Sequence, residues 1–198
     1  FIEKADIPCA TTFLGLSAVP SNHPLNKGIL GMHGNLGPNV MTNQCDLLIA
    51  VGMRFDDRVT GNLATYAKQA KIIHFDIDAS EFNKNVKIDL GVLGNCKDTL
   101  KAVTALIDET KHSSWSNGFE PYKEKEYNKV ISKALYPTEG PLLMGEVVNK
   151  VTEASGNEAI LVTDVGQNQL FACRYFKFTK PRSIVTSGGM GTMGFALP

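Results

Sequence analysis

In Leu47-Leu48-Ile49-Ala50-Val51-Gly52, five apolar residues run without alternation into a glycine. A strand covered on both faces of a parallel sheet reads this way, because neither face calls for polar side chains. Three further runs share the pattern: Lys71 to Ile77, Ala159 to Thr163 and Ser183 to Thr186. Helical periodicity lies among them. Over Lys97 to Thr110, Leu100, Val103, Leu106 and Ile107 fall on one face; over Leu142 to Ala154, Met144, Val147, Val148 and Val151 do the same, with Pro141 suited to a first turn. Strands separated by helices predict an α/β fold with a parallel sheet and right-handed crossovers.

The composition changes between about residues 108 and 140. A polar run, His112 to Gly118, precedes the charged stretch Tyr122-Lys123-Glu124-Lys125-Glu126. Tyr127, Val130, Ile131 and Ala134 predict a short helix, and Tyr136-Pro137-Thr138-Glu139-Gly140-Pro141 reads as a connector. The expected organisation is a first domain over 1–110, a linker over 111–140 and the start of a second domain over 141–198. The first residue is not Met, and the last residues, Gly194-Phe195-Ala196-Leu197-Pro198, form an apolar run without a stop signal. Both ends are expected to be cuts through a longer protein.

The chain has 198 residues, 43% of them hydrophobic, with 20 Lys plus Arg against 20 Asp plus Glu. That length is enough to bury a core. A neutral balance gives no whole-molecule attraction to nucleic acid or to an anionic membrane, so neither is an expected partner. No apolar run reaches the roughly 18 residues of a membrane span, and the N-terminal residues lack a basic and then apolar leader. Cys9, Cys45, Cys96 and Cys173 form no C-x-x-C pair. They read as small apolar residues in a reducing compartment, with no metal site implied.

Four segments carry chemistry. Gly52-Met53-Arg54-Phe55-Asp56-Asp57-Arg58-Val59-Thr60-Gly61 follows a buried strand, where open α/β sheets bind ligands. Arg54 and Arg58 there can each fork onto a phosphate or carboxylate, although a solvated ion-pair loop is the alternative. Asp76, at the end of His74-Phe75-Asp76-Ile77-Asp78, suits either a ribose hydroxyl or a turn. Gly31-Met32-His33-Gly34 makes a tight, ligand-approaching turn plausible, though His33 taken alone reads as structural. Gly189-Met190-Gly191-Thr192-Met193-Gly194 matches G-x-G-x-x-G, and a dinucleotide fingerprint and a generic backbone-approach turn both fit it.

Together with Thr11-Thr12-Phe13-Leu14-Gly15, Val165-Gly166-Gln167-Asn168-Gln169 and Ser187-Gly188, these segments resemble the large catalytic subunits of acetohydroxyacid (acetolactate) synthases over nearly the whole chain. The run Arg54-Phe55-Asp56-Asp57-Arg58-Val59-Thr60-Gly61 is the most specific part. Catabolic acetolactate synthases, glyoxylate carboligases and pyruvate decarboxylases usually differ there. The resemblance implies a Rossmann-like central FAD-binding domain, lacking its first strand, followed by the start of an α/β domain that binds thiamine diphosphate. The family condenses pyruvate with pyruvate or 2-ketobutyrate, with loss of CO2, toward isoleucine and valine. Its FAD does no net redox work.

Carried over by resemblance, Thr12, Phe13, Leu14, Leu30, Gly31, Met32, His33, Gly52, Arg54, Asp56, Arg58, Val59, Asp76, Ile77 and Asn95 match FAD contacts. Arg58 also matches the arginine that holds the second ketoacid's carboxylate. Val165, Gly166, Gln167, Asn168, Gly191 and Met193 match the thiamine site, with Met193 as the wedge that bends the cofactor. Three positions depart from the family: Asn168 replaces a His, Asn95 an Asp, and Gly194-Phe195-Ala196 a Gly-Tyr-Gly. The first two weaken expected cofactor contacts. The activating glutamate and the magnesium motif of the family match nothing here, so no metal ligand is assigned and the chain alone is expected to be inactive. The resemblance further implies a cytoplasmic parent that is a homodimer or tetramer and takes a small regulatory subunit. Other readings are another thiamine-dependent carboligase, a plain dinucleotide-binding module, or a non-catalytic domain that has lost its cofactors.

Overall fold

The computed structural model describes residues 1–197. In chain order the elements are α1 (Ile2–Ala5), β1 (Cys9–Thr11), β2 (Asn26–Ile29), α2 (Leu36–Thr42), β3 (Leu47–Val51), α3 (Asp57–Thr60), β4 (Lys71–Asp76) and β5 (Leu90–Leu93). There follow α4 (Cys96–Leu106), α5 (Ser113–Asn117), α6 (Glu120–Glu126), a π-type stretch (Tyr127–Ile131), α7 (Ser132–Leu135), α8 (Met144–Ala154), β6 (Leu161–Thr163), α9 (Gln167–Tyr175) and β7 (Ile184–Thr186). All strand pairs are parallel and form three small sheets: β1-β2, β3-β4-β5 and β6-β7. The α/β class with parallel pairing is as expected.

The central sheet decides where the site lies. β4 is the middle strand, with Ile72, His74, Phe75 and Asp76 buried, because it is covered by neighbours on both edges and by packing on both faces. Below it, Ala50, Met53, Phe55, Tyr66, Ala67 and Ile72 form one core. A second core mixes the two ends of the sequence: Leu16 and Ile29 pack with Cys173, Phe176 and Phe178, and Phe13 packs against them.

Several expectations need correction. β3 is buried fully only at Ala50, and its ends Leu47 and Val51 are exposed, so that run is not covered on both faces. The third and fourth strands begin two and one residues later than predicted, at Leu161 and Ile184. The 97–110 helix ends at Leu106, which is 85% exposed. α8 starts after Pro141, at Met144, and buries Gly145, Asn149 and Thr152; of the predicted stripe only Val148 packs on the second core, while Met144, Val147 and Val151 are exposed. The reason is close packing: a Cβ on Gly145 would sit 2.9 Å from the Ala134 carbonyl and 3.1 Å from the Tyr175 ring, so α8 turns its small residues inward. The 111–140 segment is mostly helical, and its α6 packs on α2.

Candidate functional site

The carboxyl ends of β3, β4 and β5 lie side by side, since Val51 pairs with Phe75, and Asp76 with Leu93. The Gly52 amide donates to the Phe75 carbonyl at 2.8 Å, and the Gly94 amide to the Asp76 carbonyl at 2.8 Å. The predicted residues Gly52, Asp76, Ile77 and Asn95 therefore share one sheet edge. Gly52 has φ +59°, and a Cβ there would meet nothing within 4 Å, so its backbone faces open space.

After Gly52 the chain turns through Phe55, a buried aromatic held at φ +52°. That left-handed conformation is costly for a bulky residue and persists only because the surroundings fix it. The Phe55 ring packs edge-on against His74 and Tyr66, and Asn85 donates to the carbonyls of Arg54 and Phe55 at 3.1 and 3.2 Å. Asp56 then caps the short α3, accepting from the Arg58 amide at 3.0 Å. Its other oxygen lies 3.6 Å from Arg54 in an exposed pair worth little. Both arginine side chains are exposed at the edge.

The loop Gly31–Gly34 is drawn onto this one. The Met32 amide donates to the Arg58 carbonyl at 2.8 Å, and a Cβ on Gly31, at φ +104°, would lie 2.7 Å from that same carbonyl. Only glycine permits this approach. Leu30 leads into the loop, while Met32 and His33 point outward and are exposed. Val59 packs against the central core beneath.

Asp76 is buried, with Oδ1 accepting from the Asp78 amide at 2.9 Å. Its Oδ2 is 3.4 Å from His74 Nε2, within ion-pair distance but without hydrogen-bond alignment. The turn reading of Asp76 is thus satisfied for one oxygen. Asn95 caps α4, accepting from Lys97 at 3.0 Å, so its carbonyl oxygen is already engaged. Thr12 precedes a one-turn helix over Phe13–Gly15 that carries Leu14 outward.

The second predicted cluster assembles at the ends of β6 and β7. Gly166, at φ +114°, opens α9, so Gln167 and Asn168 occupy its first turn. Asn168 turns back onto the Val165 carbonyl at 3.2 Å. Val165 Cγ1 lies 3.9 Å from where a Gly191 Cβ would be, so the two predicted thiamine segments meet. A Cβ at Gly166, Gly189 or Gly194 would meet nothing, and Met193 is 82% exposed. Open glycine backbone beside an exposed apolar side chain fits a ligand that approaches main chain.

Five residues that brace the candidate site were given no role by the sequence reading. Asp164 receives the Gly194 amide on both oxygens at 3.0 Å and the Val165 amide at 2.6 Å, tying the two predicted thiamine segments together. Its place directly after a strand was the available signal. Asn39 brackets Gly31, accepting from its amide at 2.9 Å and donating to its carbonyl at 2.8 Å. Asn35 accepts from the Ile29 amide at 2.9 Å. Gln169 and Thr163 both reach the Thr186 hydroxyl at 2.7 Å, bracing the sheet beneath the site. Among the described residues no three His, Cys, Asp or Glu side chains gather as a metal site.

Residues 1–103 match the family described as thiamine pyrophosphate enzyme, central domain. The chain belongs to the thiamine pyrophosphate enzymes. Residues 164–198 match the C-terminal TPP binding domain of the same enzymes, which favours a thiamine reading of Gly189–Gly194 over a dinucleotide fingerprint. Among curated proteins the chain is similar to a probable acetolactate synthase large subunit of Methanocaldococcus jannaschii, 40% identical over 99% of this chain and 34% of that protein. It is likewise similar to acetolactate synthase 2, chloroplastic, of Nicotiana tabacum, 37% identical over all of this chain and 30% of that protein. The acetolactate synthase large subunit of Buchnera aphidicola is 38% identical over all of this chain and 34% of its own length. The chain thus spans about a third of the length of the curated relatives it matches. In this thiamine pyrophosphate enzyme chain no helix among the described residues is long and apolar enough to cross a membrane.

Proposed function

We propose that this chain forms the FAD-binding region and part of the thiamine site of an acetolactate synthase large subunit. That enzyme condenses pyruvate with a second 2-ketoacid and releases CO2. The observation that carries the reading is the junction of the Gly31–Gly34 and Gly52–Gly61 loops at the Met32–Arg58 hydrogen bond, beside the open end of the central sheet. Glycine backbone there lies open to a ligand, and two exposed guanidiniums flank it.

In this reading Gly52, Asp76 and Ile77 would hold FAD along this edge, and Arg54 would offer its guanidinium to a phosphate. Arg58, whose backbone is anchored to Asp56 and Met32 while its side chain is exposed, forks onto the carboxylate of the second ketoacid. Thiamine diphosphate supplies the carbanion equivalent that takes up the first ketoacid. Val165, Gly166, Gln167 and Gly191 present main chain to that cofactor, and Met193 offers an apolar surface that excludes water beside it. Asn168 contributes an uncharged amide. The domain division, with FAD over 1–110, a linker over 111–140 and the thiamine part over 141–198, belongs to the same proposal. So do magnesium with the diphosphate, a cytoplasmic location, a homodimeric or tetrameric parent, and a small regulatory subunit.

The test is a flavin titration of the chain, followed by fluorescence quenching. Saturable FAD binding that Arg54→Ala weakens about 10-fold, the loss of one charge-assisted contact, supports the site. Absent or Arg54-independent binding overturns the assignment of FAD to this edge.

A further inference from the structure

We infer that Arg174 is a positioning residue that ties the helix after the thiamine turn to the loop Gly31–Gly34, and through that loop to Arg58. Arg174 sits near the end of α9, whose first turn carries Gln167 and Asn168. Its Nη1 donates to the carbonyls of His33 and Gly34, both at 3.1 Å. Its Nη2 pairs with the Glu126 carboxylate at the end of α6. The second Glu126 oxygen accepts from the Leu36 amide at 3.0 Å, and Asn35 donates to the carboxylate as well. One guanidinium thus joins three parts of the sequence.

The geometry requires this particular side chain. Only 20% of the Arg174 side chain and 9% of that of Glu126 are exposed. A charge pair so far removed from water is tolerated when most of its remaining donors and acceptors find partners; here both Nη atoms are engaged, and the buried Nε is left without one. The planar fork satisfies two carbonyls and a carboxylate at once, which a lysine ammonium does not do in one plane. From the clasped loop, the Met32 amide leads directly to the Arg58 carbonyl. The Arg58 loop is therefore two hydrogen-bonded steps from α9.

A separate contact joins the same two regions. The Leu14 side chain fills the space at Gly188, where a Cβ would lie 2.4 Å from Leu14 Cδ2. The two predicted cofactor regions are held against each other at two points, and any coupling between ligands bound at them is reciprocal. The functional meaning rests on the reading proposed above; the mechanical link does not.

Amide hydrogen exchange by NMR on the whole chain tests it, with Arg174→Ala, Arg174→Lys and the parent sequence. Arg174→Ala is expected to speed exchange at Met32 and Leu36 about 10-fold or more, the loss of charge-assisted hydrogen bonds, while the β4 amides stay within about 2-fold. Arg174→Lys keeps the Glu126 pair, so it restores Leu36 but not Met32. The inference is overturned if Met32 is unchanged in Arg174→Ala, if the β4 amides speed up equally, or if lysine restores both probes. FAD titration of the same proteins reads the functional side, with affinity falling about 10-fold in Arg174→Ala. If the parent chain takes no FAD, the proposed site fails while the exchange data still decide the link.

Discussion

The Gly31 α-carbon and the Arg58 carbonyl are so close that a single added methyl at Gly31 would come within 2.7 Å of the oxygen. This contact sets how the first glycine loop meets the arginine loop. Gly31→Ala must also adopt φ +104°, which L-residues avoid. The substitution is expected to cost about 1–3 kcal/mol locally and to push the Arg58 loop away from Met32. Flavin titration and thermal melting together check it. Unchanged affinity and an unchanged melting point would mean that the two loops are not held at this contact.

Asp164 joins the two segments proposed to face thiamine diphosphate through three main-chain amide contacts. In Asp164→Asn the Gly194 amide keeps one acceptor oxygen but faces an amide donor in place of the other, and the charge is lost, so the Gly191–Gly194 turn is held less firmly. Thiamine diphosphate affinity is expected to fall about 10-fold, the scale of a lost hydrogen bond to a charged group, with little change in melting temperature. Calorimetric titration measures the first and a melting curve the second.

Gly145→Ala tests the packing of α8. The new methyl would meet the Ala134 carbonyl at 2.9 Å and the Tyr175 ring at 3.1 Å. Overpacking of this kind costs about 1–3 kcal/mol, which lowers Tm by roughly 3–10 °C in a chain of this size. Val151→Ala, on the half-exposed face of the same helix, should change Tm far less. Equal effects from both would place the valine face inside after all.

Burial pushes the Cys173 thiol from an ordinary 9.0 up to about 12, and burial raises Cys9 to about 11, opposed by Lys27. A folded pKa above the unfolded one means that the unfolded chain loses its proton first as pH rises. The stabilisation is complete below about pH 9 and is lost between pH 9 and 12. Denaturant unfolding should therefore show stability falling with pH above 9, with a shallower slope in Cys173→Ala. Identical slopes would show that Cys173 ionises equally in both states.

Much of this was legible in local sequence. The apolar runs at 47–51 and 71–76 are strands, and the glycine loop after the first lies at a sheet edge, because a continuous apolar run that ends in glycine leaves the chain few alternatives. β1, β2 and β5 were not foreseen. They are three or four residues long and contain Gly, Asn, Lys or Thr, so their pairing comes from neighbours and not from propensity. The buried face of α8 was misjudged for a related reason. Periodicity marks the apolar stripe, but close approach at Gly145 selected a different face.

The sequence by itself determined the α/β class, the family, and the local turns in which glycine or an aspartate cap leaves one backbone solution. Those outcomes depend on residues within a few positions of one another. Only the tertiary structure decided that Met32 meets Arg58, that Asp164 holds Gly194, and that Arg174 bridges α9, α6 and the Gly31–Gly34 loop. These contacts join residues far apart in the chain. Their partners are selected by the shared core of Leu16, Ile29, Cys173, Phe176 and Phe178, and no local pattern records which distant residues such a core brings together.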